Sequence, residues 1–109
     1  MTVKELAEKL DCKFLCGTDF PEKIVSGCYC GDLLSWVMSR AKSGDAWLTV
    51  MGNINSAGVA VLADLACIIL TENAAVDDAA LEKAKQNGVI VLQTEKNTYE
   101  TAAAVSRIL

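Results

Sequence analysis

The sequence predicts an α/β fold: a single compact domain with a mostly parallel sheet of about four or five strands and helices on its faces. Three observations predict it. Apolar runs too short for core helices, residues 47–51 and 67–70 among them, each stop at a polar cluster. Helix-length segments separate these runs, and that alternation needs crossovers, which set neighbouring strands parallel. At 109 residues the chain has room for one core.

Each element has a local reason. Thr2 and Glu5 are spaced as a capping box, hydroxyl and carboxylate each satisfying a free amide, and open a helix carrying Val3, Leu6, Ala7 and Leu10. Residues 11–17 predict a short strand around Phe14 and Leu15. A loop follows, because Phe20 precedes Pro21 and is pushed out of the α region. Residues 24–30 predict a second strand ending at Gly31-Asp32, with Gly27 marking a bulge or a close backbone approach. Asp32 is then positioned as N-cap of a helix that Gly44 stops, with Arg40 and Lys42 complementing its dipole. Leu33, Leu34, Trp36, Val37, Met38 and Ala41 cover more than one face of that helix. Such breadth predicts a helix lying between the sheet and a partner subunit.

Residues 46–73 are the predicted centre: a buried strand at 47–51, a polar turn, a helix from about Ser56 to Asp64, and a second buried strand at 67–70. Gly58 on the helix predicts close packing on the sheet, at roughly 1 kcal/mol of helix propensity. Residues 74–88 predict another helix, with Asp77 and Asp78 at its start, Leu81 and Ala84 inward and Asn87-Gly88 as its stop. Residues 89–92 read as a buried strand. The closing helix, residues 97–109, opens at Asn97 and Glu100 and carries Tyr99, Ala102, Val105 and Ile108 as one stripe.

Composition narrows the function. A net charge of −4 with scattered Lys and Arg gives no basic stripe for a nucleic-acid backbone. No apolar run approaches the roughly 18 residues that span a bilayer, and the N-terminus lacks a signal-peptide core, so the expectation is a cytoplasmic protein without membrane contact. The hydrophobic fraction of 52% and the positive mean hydropathy are high for a small monomer and predict a homodimer. Five cysteines and no histidine argue for reduced thiols. Their spacings match no common zinc ribbon, so neither a metal nor another cofactor is expected.

In an open parallel sheet, ligands bind beyond the carboxyl ends of the strands. That rule selects Gly31-Asp32, Gly52-Asn53-Asn55-Ser56, Thr71-Glu72-Asn73 and Thr94-Glu95. The candidate ligand-binding residues are Asp32, Asn53, Asn55, Thr71, Glu72 and Thr94, suited to a small polar or nucleotide-like molecule. The competing assignment makes Asp32, Asn55, Ser56 and Asn97 caps and turn residues. No phosphate loop, dinucleotide fingerprint or nucleophile elbow is present, so no catalytic residue is assigned. Cys30, ahead of a helix, is the best nucleophile, though Asp32 opposes its ionisation. A magnesium site on Asp32, Glu72 and Glu95 is not demanded by their spacing. The sequence thus favours a non-enzymatic regulatory or ligand-sensing module. The alternatives are a protein-interaction subunit using residues 33–41 and, behind it, a cysteine-based metal or redox protein.

The early helix, the stretch GDLLSWVMSRAKSGDAWLTV (31–50), the strands ending at Gly52-Asn53 and at Thr71, and the NTYETA segment (97–102) resemble the DRTGG domain family. That family occurs inside some phosphotransacetylases and CBS-domain pyrophosphatases and as small free-standing bacterial proteins, some labelled relatives of HPr serine kinase. The resemblance spans nearly the whole chain. It implies an α/β fold, a homodimer and a regulatory or ligand-sensing role. Where the family name has Asp-Arg this chain has Asn53-Ile54, and where it has Thr-Gly-Gly this chain has Thr71-Glu72-Asn73. An anion site built on that arginine and those glycine amides is not implied here.

Overall fold

The computed structural model describes residues 1–20 and 22–109. In chain order the elements are α1 (Val3–Leu10), β1 (Lys13–Cys16), β2 (Gly27–Cys30), α2 (Leu34–Arg40), β3 (Asp45–Thr49), α3 (Ile54–Leu62), β4 (Cys67–Leu70), α4 (Asp78–Gln86), β5 (Val91–Gln93) and α5 (Thr98–Ile108). One five-stranded sheet has the order β1-β5-β4-β3-β2. The strands β2 to β5 are parallel neighbours in chain order, and β1 runs antiparallel on β5. The expected α/β fold with a mostly parallel sheet is therefore what the chain adopts. No helix among the described residues is long and apolar enough to cross a membrane.

Strands added in one direction by crossovers of one hand leave their connecting helices on one face. Accordingly Val37 of α2, Ala57 and Ala60 of α3 and Ala84 of α4 pack with Trp47, Ile68, Leu70 and Val91. The opposite face, carrying Ala46, Leu48, Cys67, Ile69 and Leu92, is covered by α1 and α5 through Val3, Leu6, Leu10 and Val105. β3 and β4 are buried at every residue because both faces are covered.

Several local expectations change. The strand before Gly31 begins at Gly27 and not at residue 24; Ile24 makes only a lone bridge with Thr2. Gly27 carries no bulge, its pairing with Asp45 being in register, and its close approach is to the Asp45 carboxylate. The Thr2–Glu5 capping box is present in both directions. Asp32 is not an N-cap. Leu33 takes that position without a side-chain bond, and α2 ends at Arg40, before Gly44. α3 starts two residues before Ser56, at Ile54, capped by Asn53, whose side chain accepts from the amides of Asn55 and Ser56. Gly58 faces Lys83 of α4 and not the sheet. On α5, Tyr99 points to solvent, and Thr101 and Val105 form the buried contact in its place. Pro21 itself lies outside the described residues, and residues 17–20 and 22–23 on either side of it form turns and no helix, as the loop expectation has it.

Candidate functional site

The four polar clusters selected from the sequence all follow the carboxyl ends of β2, β3, β4 and β5. Parallel pairing brings those ends to one edge of the sheet. There the clusters are stitched to each other. Asp32 crosses to the end of β3, where one carboxylate oxygen accepts from the Thr49 hydroxyl at 2.7 Å and from the Val50 amide at 3.1 Å. The Thr49 oxygen in turn accepts from the Met51 amide at 3.1 Å, and the Ser56 hydroxyl donates to the Met51 carbonyl. A run of hydrogen bonds thus links Asp32 to the start of α3. Gly31 is held by its carbonyl, which accepts from the Trp47 indole N–H at 2.8 Å.

Gly52 has a steric role. A Cβ there would collide with the carbonyl of Ala75, so the loop after β3 and the segment leading to α4 touch backbone to backbone, and the Asp77 amide donates to the Gly52 carbonyl at 2.8 Å. Asn53 is occupied by capping α3. The dimple beside it, about 10 Å³, is too small for a ligand.

The loop after β5 differs from the others in direction. The β4 loop leads to α4 on one face of the sheet, and the β5 loop leads to α5 on the other. Such divergence is what opens a crevice in an open α/β sheet. Here it is bridged. The amides of Glu72 and Asn73 donate to the carbonyls of Lys96 and Thr94, both at 2.8 Å, and the buried Thr71 hydroxyl pairs with that of Thr98 at 2.8 Å. To make this turn, Glu72 and Asn73 both take left-handed backbone, φ 57° and 54°. Residues with a Cβ adopt it at a cost, and two in succession are unusual. Both amides point into the protein and are already paired.

Beside this seam lies a cavity of about 420 Å³, lined by Asp11, Lys13, Asn73, Gln93, Thr94, Glu95 and Lys96. It exists because β1 is antiparallel to β5, which sets Lys13 opposite Gln93. Of the six candidate residues only Thr94 lines it. Asn73 lines it too, having been read within its cluster. Sequence reasoning missed Asp11, Lys13, Gln93 and Lys96, which the pairing of β1 with β5 brings together. Among the described residues no buried side-chain polar atom lacks a partner, and no cluster of three or more histidine, cysteine or acidic side chains is arranged to hold a metal.

The cysteines divide by burial. Cys67 is fully buried, and its thiol is pushed up to about 12 by desolvation. Burial raises Cys12 to about 11, and Cys16 is raised as well. Cys28 and Cys30 are exposed. The two thiols act on each other, Cys28 lowering Cys30 to about 7 and Cys30 raising Cys28. Asp32, expected to oppose ionisation of Cys30, is turned to Thr49.

Fold and edge together define an open-sheet α/β domain with a polar rim and one cavity beside its switch in helix direction. The family model of the DRTGG domain matches residues 5–108, and the chain belongs to that family. No curated protein matches it significantly. Among solved structures it is similar to the CBS and DRTGG domains of the regulatory region of Clostridium perfringens pyrophosphatase, complexed with its activator, diadenosine tetraphosphate. The TM-score is 0.73 at 13% identity, over 99% of this chain and 47% of that one. The chain thus corresponds to about half of the pyrophosphatase region.

Proposed function

We propose that this DRTGG domain is a non-enzymatic, homodimeric regulatory module of the cytoplasm that senses a small polar or nucleotide-like ligand. The observation that carries this reading is the cavity beside the β4–β5 seam, where Lys13 and Lys96 offer cations and Thr94, Asn73 and Gln93 offer donors and acceptors. The regulatory region of the pyrophosphatase, with its bound dinucleotide activator, supports the ligand class. Asp32, Asn53 and Thr71 shape the rim in this proposal, and Thr94 and Asn73 meet the ligand. Glu72 contributes its backbone conformation, and Asn55 stands exposed on the first turn of α3.

A thermal-shift series with diadenosine tetraphosphate, mononucleotides and phosphorylated metabolites tests the reading, because a ligand that binds only the folded state raises the midpoint by mass action. The expected result is a saturable rise that Lys13→Ala and Lys96→Ala each weaken. A panel with no rise, or a rise unaffected by both substitutions, refutes it.

A second reading, a protein-interaction subunit, is favoured by α2 and the residue before it. Leu33, Trp36 and Met38 are all substantially exposed, and only Val37 of α2 is buried. A stoichiometric heteromeric partner in native pull-downs, with no small-molecule response, would select this reading over the first.

A further inference from the structure

We infer that Cys28 and Cys30 form a reactive dithiol, with Cys30 as the attacking thiolate and Cys28 as the resolving thiol, taking low-molecular-weight disulfides as its substrate class. The pair sits on β2, an edge strand bonded only to β3. Alternation along a strand puts residues two apart on the same face. The pairing of Cys28 with Ala46 and of Cys30 with Leu48 identifies that face as the one covered by α1 and α5. At β2 the cover ends, and both thiols are exposed whereas Cys16 and Cys67 are buried. Two residues apart on one face of the strand, the thiols are neighbours, and the Cys28 thiol favours ionisation of Cys30.

A hollow of about 430 Å³ wraps this edge, lined by the resolving Cys28 and by Tyr29, Arg40, Lys42, Ser43 and Asp45, with Cys30 outside its lining. Its two cations suit a disulfide that bears carboxylates. Arg40 is held in place by stacking on Trp36, 3.8 Å from the ring centroid.

The step balances without any other reactant. The Cys30 thiolate attacks one sulfur of the disulfide, forming a mixed disulfide and expelling one thiolate, which takes up a proton. Cys28 then loses its proton to solvent and attacks the Cys30 sulfur, expelling the second thiolate. Two protein thiols become one protein disulfide, and the small disulfide becomes two thiols. Alternate residues of a strand stand roughly 6.6 Å apart, near the upper limit for bridged cysteines, so the product is strained and readily reduced. It is a reversible mark on an edge strand and not a structural staple.

Oxidised glutathione serves as the probe. Reduced protein is exposed to it, quenched by alkylation in denaturant, and digested with trypsin, which isolates residues 24–40 from the other three cysteines. The expected product is loss of two hydrogen atoms within that one peptide, reversed by mild reductant. Cys28→Ser should stop at a glutathionyl group on Cys30, and Cys30→Ser should react roughly tenfold more slowly. Both serines replace exposed groups, and unchanged circular dichroism checks that they fold. The inference is overturned if Cys30→Ser reacts as fast as the parent chain, if Cys12, Cys16 or Cys67 reacts first, or if the disulfide joins two chains.

Discussion

Glu72 and Asn73 carry a backbone conformation that glycine adopts freely. The turn is held by bonds from both amides to the β5 loop. Glu72→Gly is therefore expected to raise stability by about 1 kcal/mol, and Glu72→Val to lower it by about 1–3 kcal/mol, read from urea unfolding midpoints. Nothing in the sequence around Thr71 shows this, since Glu and Asn at a strand end read simply as polar. Cys67 yields a prediction in pH. Its ordinary value is 9.0, and burial lifts it to about 12, so the unfolded chain loses that proton first. The stabilisation is complete below pH 9 and declines as pH rises toward 12. Cys67→Ala should flatten the alkaline fall in the unfolding free energy, leaving the contributions of Cys12, Cys16 and Cys28.

For the elements, legibility followed the range of the forces involved. Strands β3 and β4 announced themselves because burial on both faces demands continuous apolar residues, and α1 because its cap is closed within four residues. Asp32 and Asn53 both take roles other than those expected. The first, expected as a cap and a ligand contact, bonds across to Thr49; the second, expected as a ligand contact, caps α3. Spacing along the chain cannot distinguish a carboxylate bonding its own helix from one bonding the next strand's loop, which depends on how β2 registers with β3. Asn53→Ala should cost about 1 kcal/mol in chemical denaturation. Thr49→Val, which removes the partner of Asp32 and Met51, should cost about 1–3 kcal/mol. The cavity was the least legible feature, because Lys13 and Lys96 meet only once β1 pairs antiparallel with β5.

For the molecule as a whole, the broad apolar pattern of residues 33–41 translates into an α2 that buries one residue and leaves Trp36 and Met38 facing outward. Light scattering at micromolar concentration is expected to give roughly twice the chain mass, and Trp36→Asp to shift it toward the monomer. A monomer in the parent chain would contradict the proposed homodimer. The seam between the β4 and β5 loops also sets a threshold for whatever approaches that edge. A molecule that wedges the loops apart must first replace two amide–carbonyl bonds, a handicap of about 1–3 kcal/mol, or about five- to 150-fold in affinity. One that settles between Lys13 and Lys96 leaves both bonds intact. Amide hydrogen exchange at Glu72 and Asn73 therefore reports the route of entry: protection lost on binding means the seam opens, and protection kept means the domain receives its ligand with the seam closed.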